Sequence, residues 1–184
     1  MKSNRTFKVA VLGSASASDD SSGWKKAERI GAAVAARGGV LLTGACPGFP
    51  HAAVLGANSR GGLSVGISPA ANREDHIEAY AYPVESRIIL FTGMGTRGRN
   101  VILVRSADAC VFIGGGMGTL NEFTIACADL GRNCAIGVLA RSGGFSDEFM
   151  RLVDLSGKAP QALLVVESDP ERLLKKLFKH ISRE

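Results

Sequence analysis

Residues 109–122, ACVFIGGGMGTLNE, combine a short apolar run with four glycines, a hydroxyl and a carboxylate. Val111, Phe112 and Ile113 favour strand, and the run stops at Gly114. Gly115, Gly116 and Gly118 around Met117 leave backbone N–H groups open to a close ligand. Thr119 then leads into residues 120–129, which can carry a helix. A strand, a glycine turn and a helix start together offer free N–H donors and the helix dipole to an anion, so a phosphate site is expected over Gly115, Gly116, Met117, Gly118 and Thr119. A plainer reading stands beside it. Thr119 and Glu122 fit S/T-x-x-E, a capping box in which Glu122 only satisfies a backbone donor.

Other glycine turns follow apolar runs in the same way. Residues 7–12 read as a first strand ending at Gly13-Ser14, where N–H and hydroxyl donors could meet a ligand. A solvated serine-rich loop with a helix cap at Ser21 or Ser22 is the alternative. Residues 40–43 form a second strand before Gly44 and Gly48, and His51 is the titratable side chain there. It reads as a surface or capping residue more readily than as a ligand contact. Thr92 to Asn100, TGMGTRGRN, echoes a Walker A loop. Arg99 stands where the lysine would be and Asn100 where the magnesium-binding hydroxyl would be, which excludes an ATPase of that type. Arg87, Arg97, Arg99 and Arg105 fall in one stretch without an acid, and guanidinium groups at strand ends suit phosphate or carboxylate.

These motifs together resemble the LOG family, whose signature is PGGxGTxxE and whose members include phosphoribohydrolases that activate cytokinins. They are also similar to the molybdenum-cofactor carrier proteins, which have a GGGxGT loop. The matching segments are residues 92–100, 106–109 and 114–122, in the same order and spacing. The resemblance implies a catalytic pair, Arg99 and Glu122, for hydrolysis of the N-glycosidic bond of a nucleoside 5′-monophosphate. Arg99 falls on the arginine of the family's RKxxM motif and Asn100 on its lysine. Gly114 stands where the LOG signature has proline, and the Gly44–Gly48 turn departs from the family's GGGxxGLM. The carrier relatives imply the alternative, a non-catalytic protein for a phosphorylated ligand such as molybdenum cofactor. The resemblance also implies a homodimer, paired through the helix that carries Leu120, Phe123, Ile125 and Ala126.

The remaining elements must hold these turns in place. Apolar strands at residues 63–67, 87–91, 135–139 and 163–166 alternate with helices expected at 24–37, 50–57, 101–104, 147–155 and from Pro170. Residues 72–82 read as a loop or short helix, with His76 solvated between Asp75 and Glu78. Such alternation predicts a single Rossmann-like α/β domain, a doubly wound, mainly parallel sheet with helices on both faces. Its ligands sit at the carboxyl ends of the strands.

The 184 residues carry a formal charge of +5, which suits an anionic small ligand. No basic-aromatic cluster accompanies that charge, so nucleic acid is an unlikely partner. No apolar run approaches membrane-spanning length, and the basic start followed by residues 9–12 is better explained by a core strand than by a signal peptide. Cys46, Cys110, Cys127 and Cys134 form no C-x-x-C pair and have no His at zinc spacing, so free thiols in the cytoplasm, no metal and no resident cofactor are expected.

Overall fold

The computed structural model describes residues 6–19 and 21–182; Asp20 and the basic N-terminal residues Lys2 and Arg5 lie outside them. Seven parallel strands form one sheet: β1 (Lys8–Gly13), β2 (Val40–Thr43), β3 (Leu63–Ser68), β4 (Ile88–Phe91), β5 (Ala109–Ile113), β6 (Ala135–Leu139) and β7 (Leu163–Glu167). Between them run α1 (Ser22–Ala36), α2 (Phe49–Asn58), α3 (Arg73–Glu78), α4 (Gly95–Arg105), α5 (Met117–Asp129), α6 (Phe149–Ser156) and, after the last strand, α7 (Pro170–Ile181). This is the expected single Rossmann-like α/β arrangement, and the sheet is wholly parallel.

The pleat sorts the apolar strand residues between two cores. Val9, Val11, Leu41, Val111 and Ile113 meet α1, α2 and α7 on one face. Ala10, Leu12, Leu42, Cys110 and Phe112 meet Leu103 and Val104 of α4, Phe123 of α5 and Phe149 of α6 on the other. Every residue of β5 is buried, because helices cover both of its faces. Burying a Val, Ile or Phe side chain contributes about 1.5–3 kcal/mol, so this apolar strand anchors the glycine turn that follows it.

Strand order is β4-β3-β2-β1-β5-β6-β7. The chain winds outward from β1 to β4, then α4 carries it back to the other side of β1. Val9 pairs with Ala109, and the pairing continues to Gly13 with Ile113. Strand order therefore reverses between β1 and β5, and a crevice opens beyond their carboxyl ends.

Several local expectations need correction. His76 is fully buried rather than solvated. Its Nδ1 lies 2.9 Å from Ser68 Oγ and its Nε2 3.0 Å from the Pro83 carbonyl, so it pins α3 to the end of β3. Residues 101–104 do belong to a helix, but Val101 and Ile102 are exposed and only Leu103 and Val104 reach the core. The stretch from residue 147 begins as a 3-10 turn, Gly144–Glu148, and becomes α-helical only at Phe149. Ser21 does cap α1, accepting from the Trp24 N–H.

Candidate functional site

At the β1/β5 crevice lies a cleft of about 750 Å³. Gly13 and Ser14 line it from the end of β1, Arg99 and Asn100 from α4, and Gly116, Met117, Gly118, Thr119 and Glu122 from α5. Nine of the residues singled out from the sequence thus face one cavity, although they come from three separate segments. Gly44, Gly48 and Gly115 stand behind its wall. A side chain at Gly44 would place Cβ 2.2 Å from Arg99 Nη1. One at Gly48 would meet the Ser14 carbonyl at 2.1 Å, and one at Gly115 would meet Thr119 Oγ1 at 2.1 Å. Gly13 packs as tightly, with Cβ space only 2.2 Å from the Ile113 carbonyl.

Gly116 and Gly118 differ. A Cβ at either position meets no atom within 4 Å, and neither has positive φ. Nothing inside the protein requires glycine there. The space their missing side chains leave belongs to the cleft.

Helix α5 starts earlier than the capping-box reading requires. Its N-cap is Gly116, with no side-chain hydrogen bond, so Thr119 sits inside the first turn and is not the cap. Thr119 is buried against Gly115, and the first-turn N–H groups keep the partial positive charge of an uncapped helix end. No acidic residue occupies that turn.

Glu122 turns instead toward Arg99. Its Oε1 accepts from Arg99 Nη1 at 3.3 Å, and the two side chains are 9% and 5% exposed. That distance is long for a charge-assisted hydrogen bond, which usually spans 2.7–2.9 Å. Burial raises the Glu122 carboxyl to about pKa 7, with the Arg99 charge opposing the rise. Arg99 Nε, also buried, has no hydrogen-bond partner among the described residues. The cleft therefore holds a guanidinium only partly satisfied by the protein. Asn100 donates to Asn121 Oδ1 at 2.9 Å and ties α4 to α5 along the same wall.

Cys46, Pro47, Tyr82, Thr96, Arg97 and Ser16 also line the cleft, and the motifs did not single them out as a set. Cys46 and Tyr82 arrive on irregular loops, which leave no periodic signal. Thr96 and Arg97 lay inside the glycine-rich stretch already noted. Desolvation pushes the Cys46 thiol up to about pKa 11, so it is a neutral wall residue at physiological pH. The four cysteines are free, with Cys110 deeply buried and Cys127 only partly so. Among the described residues no cluster of His, Cys, Asp and Glu is placed to hold a metal. His51 lies away from the cleft, 3.2 Å from Glu85 Oε2. No helix among the described residues is long and apolar enough to cross a membrane.

The model of the SLOG cluster4 family matches residues 6–171, which include every element that lines the cleft. The chain belongs to the SLOG cluster4 family. An uncharacterized protein of Archaeoglobus fulgidus is 35% identical over 122 residues, 66% of this chain and 74% of its own. The solved structure of the molybdenum cofactor binding protein of Rippkaea orientalis is 28% identical, with TM-score 0.76 over 96% of this chain and 98% of its own. The molybdenum cofactor carrier protein of Chlamydomonas reinhardtii shares the fold at TM-score 0.73, over 97% of this chain and all of its own, at 22% identity. This SLOG cluster4 member thus has the expected LOG-like and carrier-like relatives.

Proposed function

We propose that this SLOG cluster4 protein binds a phosphate-bearing small molecule, of nucleotide type, with the phosphate over residues 116–119 and Arg99 as counter-charge. The observation that carries the reading is the pair Gly116 and Gly118, whose Cβ positions open into the cleft. An uncapped helix end with no acid in its first turn and a partly satisfied buried arginine supply the attraction. The likeness to a molybdenum cofactor binding protein supports a carrier, with a phosphorylated cofactor as cargo rather than substrate.

One observation favours a second reading. Glu122 is a buried carboxyl in the cleft with a pKa of about 7, suited to orient water or stabilise an oxocarbenium-like state. Under it the protein hydrolyses the N-glycosidic bond of a nucleoside 5′-monophosphate, with Arg99 positioning the substrate. A titration panel of nucleoside monophosphates with a ribose 5-phosphate release assay separates the two. Binding without release supports the carrier. Release that falls about a hundredfold in Glu122→Gln supports the hydrolase. No binding of any phosphorylated compound contradicts both.

A homodimer belongs to the proposal as well. Phe123 and Ala126 of α5 are spent in the protein's own core, so the pairing surface must draw on exposed apolar residues such as Val101 and Ile102 of α4. Light scattering at micromolar concentration tests it, and a mass of 19.2 kDa contradicts it. The free thiols suit a reducing compartment, and the cytoplasm is the proposed location.

A further inference from the structure

Helix α4 opens into the same cleft as α5 and begins in the same way. Its N-cap, Met94, makes no side-chain cap, and its first turn holds no acid. The turn before it is fixed to the end of β3: Thr92 Oγ1 donates to the Ser68 carbonyl at 2.7 Å, and the Gly95 N–H to that of Pro69 at 3.1 Å. Thr96 and Arg97 of this first turn line the cleft. The Arg97 side chain is exposed and has no ion-pair partner among the described residues. One turn further in sits Arg99, whose buried Nε has no partner.

A charge count shows what is missing. Arg97 and Arg99 bring two positive charges, and each helix end adds about half a charge more. Glu122 is the acid lining the cleft, and burial holds it near half protonation at neutral pH. One phosphate over residues 116–119 answers the end of α5 and leaves the end of α4 and Arg97 without a counter-charge.

The geometry points to a second anion subsite at the N-terminus of α4, formed by Thr96 and Arg97 and backed by Arg99, so that the ligand carries two separated oxyanion groups. The inference rests on the phosphate reading of residues 116–119 and adds the class of ligand. The walls between the two ends, with Cys46, Pro47 and Tyr82, are partly apolar and suit the organic body joining the two anions.

The test is calorimetric titration with two matched pairs of different span: adenosine 5′-monophosphate against adenosine 3′,5′-bisphosphate, and fructose 6-phosphate against fructose 1,6-bisphosphate. In at least one pair the bisphosphate is expected to bind about tenfold tighter or better. Arg97→Glu should remove that advantage, while Lys175→Glu, an equal change of charge on exposed α7, should keep it. A circular-dichroism melt confirms that each variant folds. If monophosphates bind but neither pair shows the advantage, or Arg97→Glu retains it, the second subsite is overturned and the phosphate reading stands. If no phosphorylated compound binds, both fall.

Discussion

Two glycine turns of this protein, after β2 and after β5, look alike in sequence and do different work. After β2, Gly44 and Gly48 are consumed internally: one makes room for the Arg99 guanidinium, the other for the backbone of residues 14–15. After β5, Gly115 is likewise filled by Thr119, but Gly116 and Gly118 face open space. A glycine run is therefore not itself a sign of a ligand. The informative glycine is the one for which neither backbone conformation nor packing gives a reason.

The contrast breaks first at Gly44. Gly44→Val pushes a branched side chain into the guanidinium of a buried arginine, and moving Arg99 leaves Glu122 buried without its partner. A loss of about 3 kcal/mol or more is expected, read as a lower denaturation midpoint, with ligand affinity lost alongside.

Glu122 gives an effect of similar order that pH controls. Its folded pKa of about 7 lies above the unfolded value of 4.5, so between those values the folded state holds more protons. Stability therefore falls as pH rises from about 4.5 to about 7, by at most about 3 kcal/mol from this group. Denaturant melts across that window should show the slope, and Glu122→Gln should flatten it. A bound phosphate favours the neutral carboxyl, so affinity should also drop as pH passes through about 7.

Asn100→Ala removes the bond to Asn121 and leaves the fold's larger contacts alone. It should cost about 1 kcal/mol in a thermal melt. Gly118→Val has the smallest effect on stability, within about 0.5 kcal/mol, since its side chain enters open space. Its effect on binding is large: phosphorylated ligands should lose about tenfold or more in affinity. Unchanged affinity in the folded variant would remove the phosphate from this turn.

Much of this was legible in the sequence. Apolar runs that stop at glycine located β1, β2 and β5, and their alternation with helices gave the parallel sheet and the edge where a ligand sits. Arg99 and Glu122 were reached by resemblance, and the structure places them in contact. What sequence spacing misread was local. Thr119 and Glu122 have capping-box spacing, but α5 begins at Met117, so the carboxylate turns to Arg99 instead of the helix end. His76 has charged neighbours along the chain, yet Ser68 and Pro83 enclose it from elsewhere in the fold. Cys46 and Tyr82 reach the cleft on loops whose paths depend on tertiary packing.

The central claim is that a phosphate sits on the open N–H groups of α5. Titrating the 15N-labelled protein with adenosine 5′-monophosphate, amide by amide, tests it most directly. The account predicts the largest shifts at Met117, Gly118 and Thr119, with the amides of Gly44 and Gly48 moving little. Saturable binding that shifts amides elsewhere and leaves residues 116–119 unmoved would contradict it.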